Sequence, residues 1–416
     1  MNDFDNIYQM HKWGNEVLSG PGSTISSAKN IIPAIIKIIK EKNIKKIVDG
    51  SCGDLTWIQK VLEEFPNIQY IGNDISEIII NINKSKFKNN KNWKFYKKNA
   101  IDEDIEKCDL FIFRHTLMHL ANDNIIKILN NISKHCKYVL LTNFPDILIN
   151  PTDDQRKSIG TSLAFHFEKI NLHKYPFNSC MGYLLEEIKE SSNNVNDHLN
   201  LYKFNSQYNY NEFKNSNMIL NLNNIIKKIG EPLEGNCLYE NNSNFSELTN
   251  TRGTNMEIKR KNIFKLCENS KNILEIGFNA GHSCCLYLYA NPNIQISSFD
   301  ICSHKYSEPC ANYIKSLYNL ELIKGNSLIT IPNYSTKIFD LIHIDGGHCI
   351  DVVEQDLINC RKFADIKTIL IFDDTQMEHI NNLLKKYISL NFIDEINYHE
   401  LNLQINTFHR LFHYNY

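Results

Sequence analysis

The chain has 416 residues, of which 42 % are hydrophobic and 22 % charged. At about 150 residues per domain this length predicts two or three domains, and the composition excludes wholesale disorder and fibrous repeats. The 45 Lys and Arg against 47 Asp and Glu leave a net charge of −2, which excludes a global field that gathers nucleic acid or an anionic membrane. The longest apolar stretches, such as Ile31 to Ile39, are broken by lysine well short of the roughly 20 residues that span a bilayer. The start, MNDFDNIYQMHKWG, has no basic segment followed by an apolar one, so no secretory signal is expected. Twelve cysteines are scattered without a CxxC, and Cys108, Cys136, Cys284 and Cys285 lie in apolar runs. Free buried thiols and a cytoplasmic, reducing location are expected.

In chain order, periodicity predicts an amphipathic helix over 25–42, then a strand Lys46 to Val48 that runs into Asp49 and a Gly-containing turn. A second helix leads to a strand at Tyr70 and Ile71 that ends in Asp74. Strands at Leu110 to Phe113 and Tyr138 to Leu141 follow, with a helix Asn124 to His135 between them. From about residue 256 the same order begins again. Strand Asn272 to Ile276 enters Gly277 and helix His282 to Ala290; strands Ile296 to Phe299, Leu341 to Ile344 and Thr368 to Phe372 then end at Asp300, Asp345 and Asp373. Strand, turn, helix and strand in this order predict an α/β fold of two tandem Rossmann-like, doubly wound sheets. The expected division is a first domain over 1–188, a linker with a lid or substrate helix over 189–255, and a second domain over 256–416. The linker is read from its Asn- and Ser-rich stretches, SSNNVNDHLN and YENNSNFSELTN, with one helical run near Met218 to Ile229.

In an open parallel sheet, ligands sit at the carboxyl ends of the strands. There the second half carries Glu275, Gly277, Asn279 and Gly281, and then Asp300 about 20 residues further on, where an acid suits ribose hydroxyls. The glycines are spaced G-x-x-x-G, which offers no pyrophosphate cradle, and an acid just ahead of them favours a cationic amino acid. S-adenosylmethionine, with its sulfonium, α-amino group and ribose, matches that charge pattern.

The segments ILEIGFNAGHS, SFDI, GNS at Gly325 to Ser327, LIHIDGGH and LIFDDT together resemble a class I S-adenosylmethionine-dependent methyltransferase, in particular the metal-dependent O-methyltransferases that include sugar-modifying members. The resemblance covers about 256–416 and implies cofactor contacts from Glu275, Gly277, Asn279, Gly281, Asp300 and Ser327. Asn326 stands where this family often has Asp. HELNLQINTFHRLFHYN resembles the antiparallel hairpin that closes such a sheet. In the first half, WGNEVLSGPGST, VDGSCGDLTW, YIGNDIS, DLFIFRHTLMHL and LLTNFP resemble a different branch of the superfamily, bacterial methyltransferases of unassigned substrate, over about 10–185. That resemblance implies a cofactor loop and ribose acid at Asp49, Cys52, Gly53, Asp54 and Asp74. His115 and Asn99 stand where that branch has Asp.

Asp345 with Asp373 and Asp374 brings three carboxylates to neighbouring strand ends, where they can hold one Mg²⁺ or cap the following helices. His348 is a candidate general base or a packing residue at a helix start. His119 offers the same alternatives in the first half, and Arg114 is expected to pair with a carboxylate. Ser19 to Thr24 reads as a flap over the cofactor or as a plain connecting loop. The expectation is a bifunctional O-methyltransferase using S-adenosyl-L-methionine, with an Mg²⁺-dependent second domain. Its expected acceptor is a sugar, sugar nucleotide or glycan, because vicinal hydroxyls chelate a cation. The alternative is one active second domain beside a degenerate first domain that serves as scaffold.

Overall fold

Apolar runs that close on an acid become the central strands of two sheets. The computed structural model describes residues 3–13, 17–152, 155, 168–190, 196–204, 207–239 and 254–416, and the chain divides into two units, Met1–Asn205 and Ser206–Tyr416. In the first unit the strands are β1 (Lys46–Asp49), β2 (Gln69–Asp74), β3 (Trp93–Lys97), β4 (Cys108–Phe113), β5 (Cys136–Asn143), β6 (Tyr183–Lys189) and β7 (His198–Lys203). They form a seven-stranded sheet in the order β3-β2-β1-β4-β5-β7-β6. The first five run parallel, whereas β7 is antiparallel to both β5 and β6. The chain leaves β1 toward β2 on one side and returns to β4 on the other, which opens a crevice at their carboxyl ends. Helix Ile31–Glu41 buries Ile31, Ile35, Ile38 and Ile39, an apolar stripe at helical spacing.

The second unit repeats the plan. Its strands are β8 (Asn272–Ile276), β9 (Gln295–Asp300), β10 (Leu320–Lys324), β11 (Leu341–Ile344), β12 (Ile369–Asp373), β13 (Ile393–Glu395) and β14 (His409–Tyr414), in the order β10-β9-β8-β11-β12-β14-β13. The terminal hairpin is antiparallel, as expected, with β14 paired to both β12 and β13. One layer of the core joins Leu274, Ile342, Leu370 and Phe412 from the sheet to Leu357 and Leu384 from helices.

Both central strands are pinned at their starts by the same device. The Asp109 carboxylate accepts from the amides of Lys45 and Lys46, both at 2.9 Å, and Asp340 accepts from those of Lys271 and Asn272 at 2.6 and 3.0 Å. These acids lie at the amino ends of the strands, away from the crevice.

The expected linker over 189–255 needs correction. Strand β7 lies within it and is the inner partner of β6, and the division falls after residue 205. Helix Asn217–Ile229 buries Met218, Ile219, Leu222 and Ile226 and stops at Gly230, whose φ of 73° provides the left-handed cap. That helix belongs to the core of the second unit. The Asn- and Ser-rich stretches at 191–195 and 240–253 lie outside the described residues. Among the described residues all twelve cysteines are free, and no helix is long and apolar enough to cross a membrane.

Candidate active sites

In the first unit the turn after β1 is held by the acid that ends β2. Asp74 accepts from the Gly53 amide at 3.1 Å through one carboxylate oxygen and from the Ser76 amide at 3.0 Å through the other. Gly53 has a φ of 54°, and a Cβ there would run into Ser19, so the position requires glycine. Asp54 donates its amide to Ser19 Oγ at 2.8 Å and accepts the Ser19 amide at 3.3 Å. This pair of bonds fastens the Ser19 to Thr24 segment to the turn after β1. Ser19 through Ser23 line a cavity of about 550 Å³ together with Asp49, Asp54, Asp74, His115 and His119. The segment is therefore a wall of this cavity. Cys52 also lines the cavity, donates its amide to Asn73 at 2.8 Å, and burial pushes its thiol well up.

Asp49 is buried and accepts the Tyr70 hydroxyl at 3.1 Å. Burial raises its carboxyl to about 7, against the Ser51 amide and the Tyr70 hydroxyl. Burial likewise raises Asp74 to about 6. Arg114 pairs with buried Glu190, donating from Nε at 3.0 Å. His115 Nε2 lies 3.2 Å from Asp197 and 3.5 Å from Glu190. His119 sits on the cavity wall in the short turn Leu117–His119. Asn99 also lines the cavity and turns its side chain back on the Ile101 amide and Asp102.

The second unit reproduces the first clasp. Asp300 accepts the Asn279 amide at 2.7 Å through one oxygen and the Cys302 amide at 2.6 Å through the other. Gly277 (φ 101°) and Gly281 (φ 79°) bend the loop, and a Cβ on Gly277 would run into the Asp345 carbonyl. Two expected cofactor contacts are internal instead. Glu275 is fully buried and receives Ser283 Oγ, Tyr287 OH, Cys284 Sγ and Ser298 Oγ. It has no oxygen left for a ligand, because strand β8 points this side chain into the layer beneath the following helix. The Asn279 side chain donates to the Glu234 and Gly235 carbonyls and accepts from Tyr306, which leaves its backbone in the loop. Ser327 opens the helix Ser327–Asn333, and Asn326 caps that helix by accepting the Leu328 amide at 3.0 Å.

The three carboxylates at the strand ends do not converge as one set. Lys259, from helix Thr254–Cys267, places its ammonium in contact with Asp373 and 3.7 Å from Asp345. His343 Nε2 lies 3.1 Å from the same Asp373 oxygen, and Tyr287 bonds the other ring nitrogen. Burial works against the Lys259 charge, but Asp345 and Asp373 outweigh it and raise its pKa. Burial pushes Asp345 up to about 8, with the charge of Asp373 adding to the shift, and burial also raises Asp373. Asp374 turns the other way, to His348 Nε2 at 2.8 Å. That hydrogen bond raises His348 and, against burial, lowers Asp374. The ligand atoms that do cluster are those of Asp345, His348 and Asp374 at the rim, and of His343, Asp345 and Asp373 below it.

Lys259 was not among the sequence candidates. A signal was present: the helical repeat puts it in line with buried Ile263 and Cys267, and a lysine on an apolar stripe needs a buried acid partner. Glu190, Asp197 and His343 were missed as well. Their roles arise from contacts across the sheet, and no local pattern marks them.

Residues 48–138 and residues 274–375 each match a family described as a methyltransferase domain. O-methyltransferase 12 of Dictyostelium discoideum is 29 % identical over 208 residues, covering 44 % of this chain and 54 % of its own length. The chain thus spans about half the length of that curated relative. Among solved structures, human N-acetylserotonin methyltransferase in complex with SAM is 13 % identical, with a TM-score of 0.31 over 41 % of this chain and 51 % of its own. The SAH-bound Podospora anserina methyltransferase PaMTH1 is 14 % identical, with a TM-score of 0.32 over 40 % of this chain and 83 % of its own.

Proposed function

Taking the chain as two methyltransferase domains in tandem, we propose that each unit binds S-adenosylmethionine and that the second transfers its methyl group to a hydroxyl oxygen of a small molecule. The observation that carries this reading is the repeated clasp, in which Asp74 and Asp300 each close the turn after the first strand and the turn after their own strand. An acid so fixed at the crevice suits ribose hydroxyls, and its charge favours a cationic cofactor.

An alcohol is a poor nucleophile at neutral pH, so the second unit must remove its proton. His348 is placed for this: Asp374 holds Nε2 and leaves Nδ1 to take the proton from the acceptor hydroxyl. The oxygen then attacks the sulfonium methyl carbon, the C–S bond breaks with its electron pair going to sulfur, and S-adenosylhomocysteine leaves. Because Asp374 raises His348, turnover rises with pH through that raised value.

A divalent cation held jointly by Asp345, Asp373 and Asp374 does not fit this arrangement. The Lys259 ammonium already stands against Asp373 and Asp345, and a second cation there would meet its repulsion. No step is routed through Mg²⁺. Without a chelated cation the acceptor needs no vicinal hydroxyls, so its class is the broader one of small hydroxyl compounds, with sugar nucleotides and glycans in the panel to be tested.

Calorimetry with S-adenosylhomocysteine tests the reading: two sites per chain are expected, with one weakened in Asp74→Ala and the other in Asp300→Ala. A single site that only Asp300→Ala weakens would instead make the first unit a scaffold.

A further inference from the structure

We infer that His115 is the general base of the first unit, oriented by Asp197, and that this cavity takes a hydroxyl acceptor whose proton passes to His115 Nδ1. The inference rests on the proposal that the first unit binds S-adenosylmethionine.

His115 lies directly after strand β4, at the crevice, with a φ of 53°, a conformation uncommon outside glycine. Its amide donates to Thr142 Oγ1 at 2.9 Å, which fixes the backbone on the neighbouring strand. The ring then points Nε2 at two buried carboxylates, Asp197 at 3.2 Å and Glu190 at 3.5 Å. Two acceptors facing one nitrogen dictate the tautomer with the proton on Nε2. Glu190 Oε1 is buried and has no hydrogen-bond partner. It is therefore an acceptor held ready for the charge that appears when the ring becomes an imidazolium. Arg114 holds the other Glu190 oxygen and keeps that carboxylate in place.

The opposite ring nitrogen is the reactive one. Nδ1 has no hydrogen-bond partner among the described residues, and both His115 and Gly22 line the cavity. A Cβ on Gly22 would lie 2.7 Å from Nδ1. The wall residue beside the lone pair is thus the one that lacks a side chain to cover it. An acid, an oriented imidazole and an open nitrogen on a cavity wall form the same dyad that His348 and Asp374 make in the second unit. In the step proposed, the acceptor O–H bond breaks and its proton goes to Nδ1. The oxygen bonds the methyl carbon, the C–S bond gives its electrons to sulfur, and the imidazolium later releases its proton to water.

The test begins with the ring itself. Long-range ¹H–¹⁵N spectra of the full chain, with His115 assigned through His115→Gln, should show that the neutral ring carries its proton on Nε2 and a bare Nδ1 whose signal shifts when S-adenosylhomocysteine is added. Asp197→Asn should move a measurable share of the proton to Nδ1, a change that a merely structural acid would not produce. In a chain whose second unit carries both Asp300→Ala and His348→Gln, His115→Gln should retain S-adenosylhomocysteine affinity at the first unit within about twofold while label transfer from S-adenosylmethionine to catechol and UDP-glucose falls about 100-fold or more. A protonated Nδ1 in the wild-type chain, a tautomer unmoved by Asp197→Asn, or undiminished transfer in His115→Gln overturns the base. So does stoichiometric Zn²⁺ binding that His115→Gln abolishes, since it would make His115, Glu190 and Asp197 a metal centre. Loss of cofactor binding to the wild-type first unit would instead sink the reading underneath.

Discussion

The two units share a strand order and a clasp, yet they place their charges at different depths. In the first unit the acid that ends β1 is Asp49, buried and raised to about 7, and the paired histidine stands against carboxylates that are themselves buried. In the second, the acid near the end of β8 is Glu275, consumed by four donors, and the paired histidine sits half-exposed at the rim. The second unit brings buried Lys259 against the acids at the carboxyl ends of β11 and β12. Topology fixes where chemistry can occur, and a few side chains decide which chemistry occurs there.

The sharpest way to break this comparison is to cut the units apart. A chain beginning at residue 206 should fold, whereas one beginning at 256 should not, because it loses helix Asn217–Ile229 and its buried Met218, Ile219, Leu222 and Ile226. At about 1.5–3 kcal/mol for each large apolar side chain, that loss rivals the stability of a whole domain. Cooperative melting of both fragments would return the boundary to 256.

Lys259→Met should come next in size. It leaves Asp345 and Asp373 facing each other without their cation, and removing one partner of a buried pair costs about 3–5 kcal/mol. A melting transition of the second unit that stays in place would deny the pair that role. In the wild-type chain, activity of the second unit should survive EDTA, and full loss with recovery on added Mg²⁺ would restore the cation to Asp345, Asp373 and Asp374.

Asp300→Ala and Asp74→Ala should each weaken cofactor binding by about 1.5–3 kcal/mol, the worth of a charge-assisted hydrogen bond. Equal losses in the two units would sharpen their equivalence, and a loss confined to one would break it.

The last test is in pH. Asp49 and Asp74 are raised in the folded unit to about 7 and about 6, from an ordinary 3.8. Between those limits the folded state holds more protons than the unfolded one, so the stability of the first unit should fall as pH rises from about 4 to about 7 and level off above. Asp49→Asn should remove the upper part of that slope, and a slope unchanged in the variant would exclude Asp49 as its source.

The parallel strands were legible because a strand covered on both faces reads as an unbroken apolar run. Asn272–Ile276 and Leu341–Ile344 emerge with the expected bounds, and Lys46–Asp49 with one residue more. The antiparallel β7 was not legible, since His198 and Asn200 interrupt its pattern beside an Asn-rich stretch and read together as linker. The same divide runs through the sites. Asp74 and Asp300 were visible from their strand ends, and His348 from its distance to Asp345. What stands against the metal triad, Lys259, comes from a helix 86 residues before Asp345 in the chain. His115 stood out as a departure from the pattern of the branch it resembles, but its partners Glu190 and Asp197 lie 75 and 82 residues away along the chain. Depth and distant pairing leave no trace in a local pattern.

The acids at the lower ends of the sheets, Asp109 and Asp340, bear on how such a chain could be redesigned. Each binds two consecutive amides of the central strand through a single oxygen, so the central strand cannot slip past its neighbour without losing both bonds. The foundation of each unit is thereby locked independently of the loops on the opposite edge. Those loops can be shortened, exchanged between the two halves or grafted from elsewhere while the frame keeps its alignment, which makes this chain a natural scaffold for loop exchange one unit at a time.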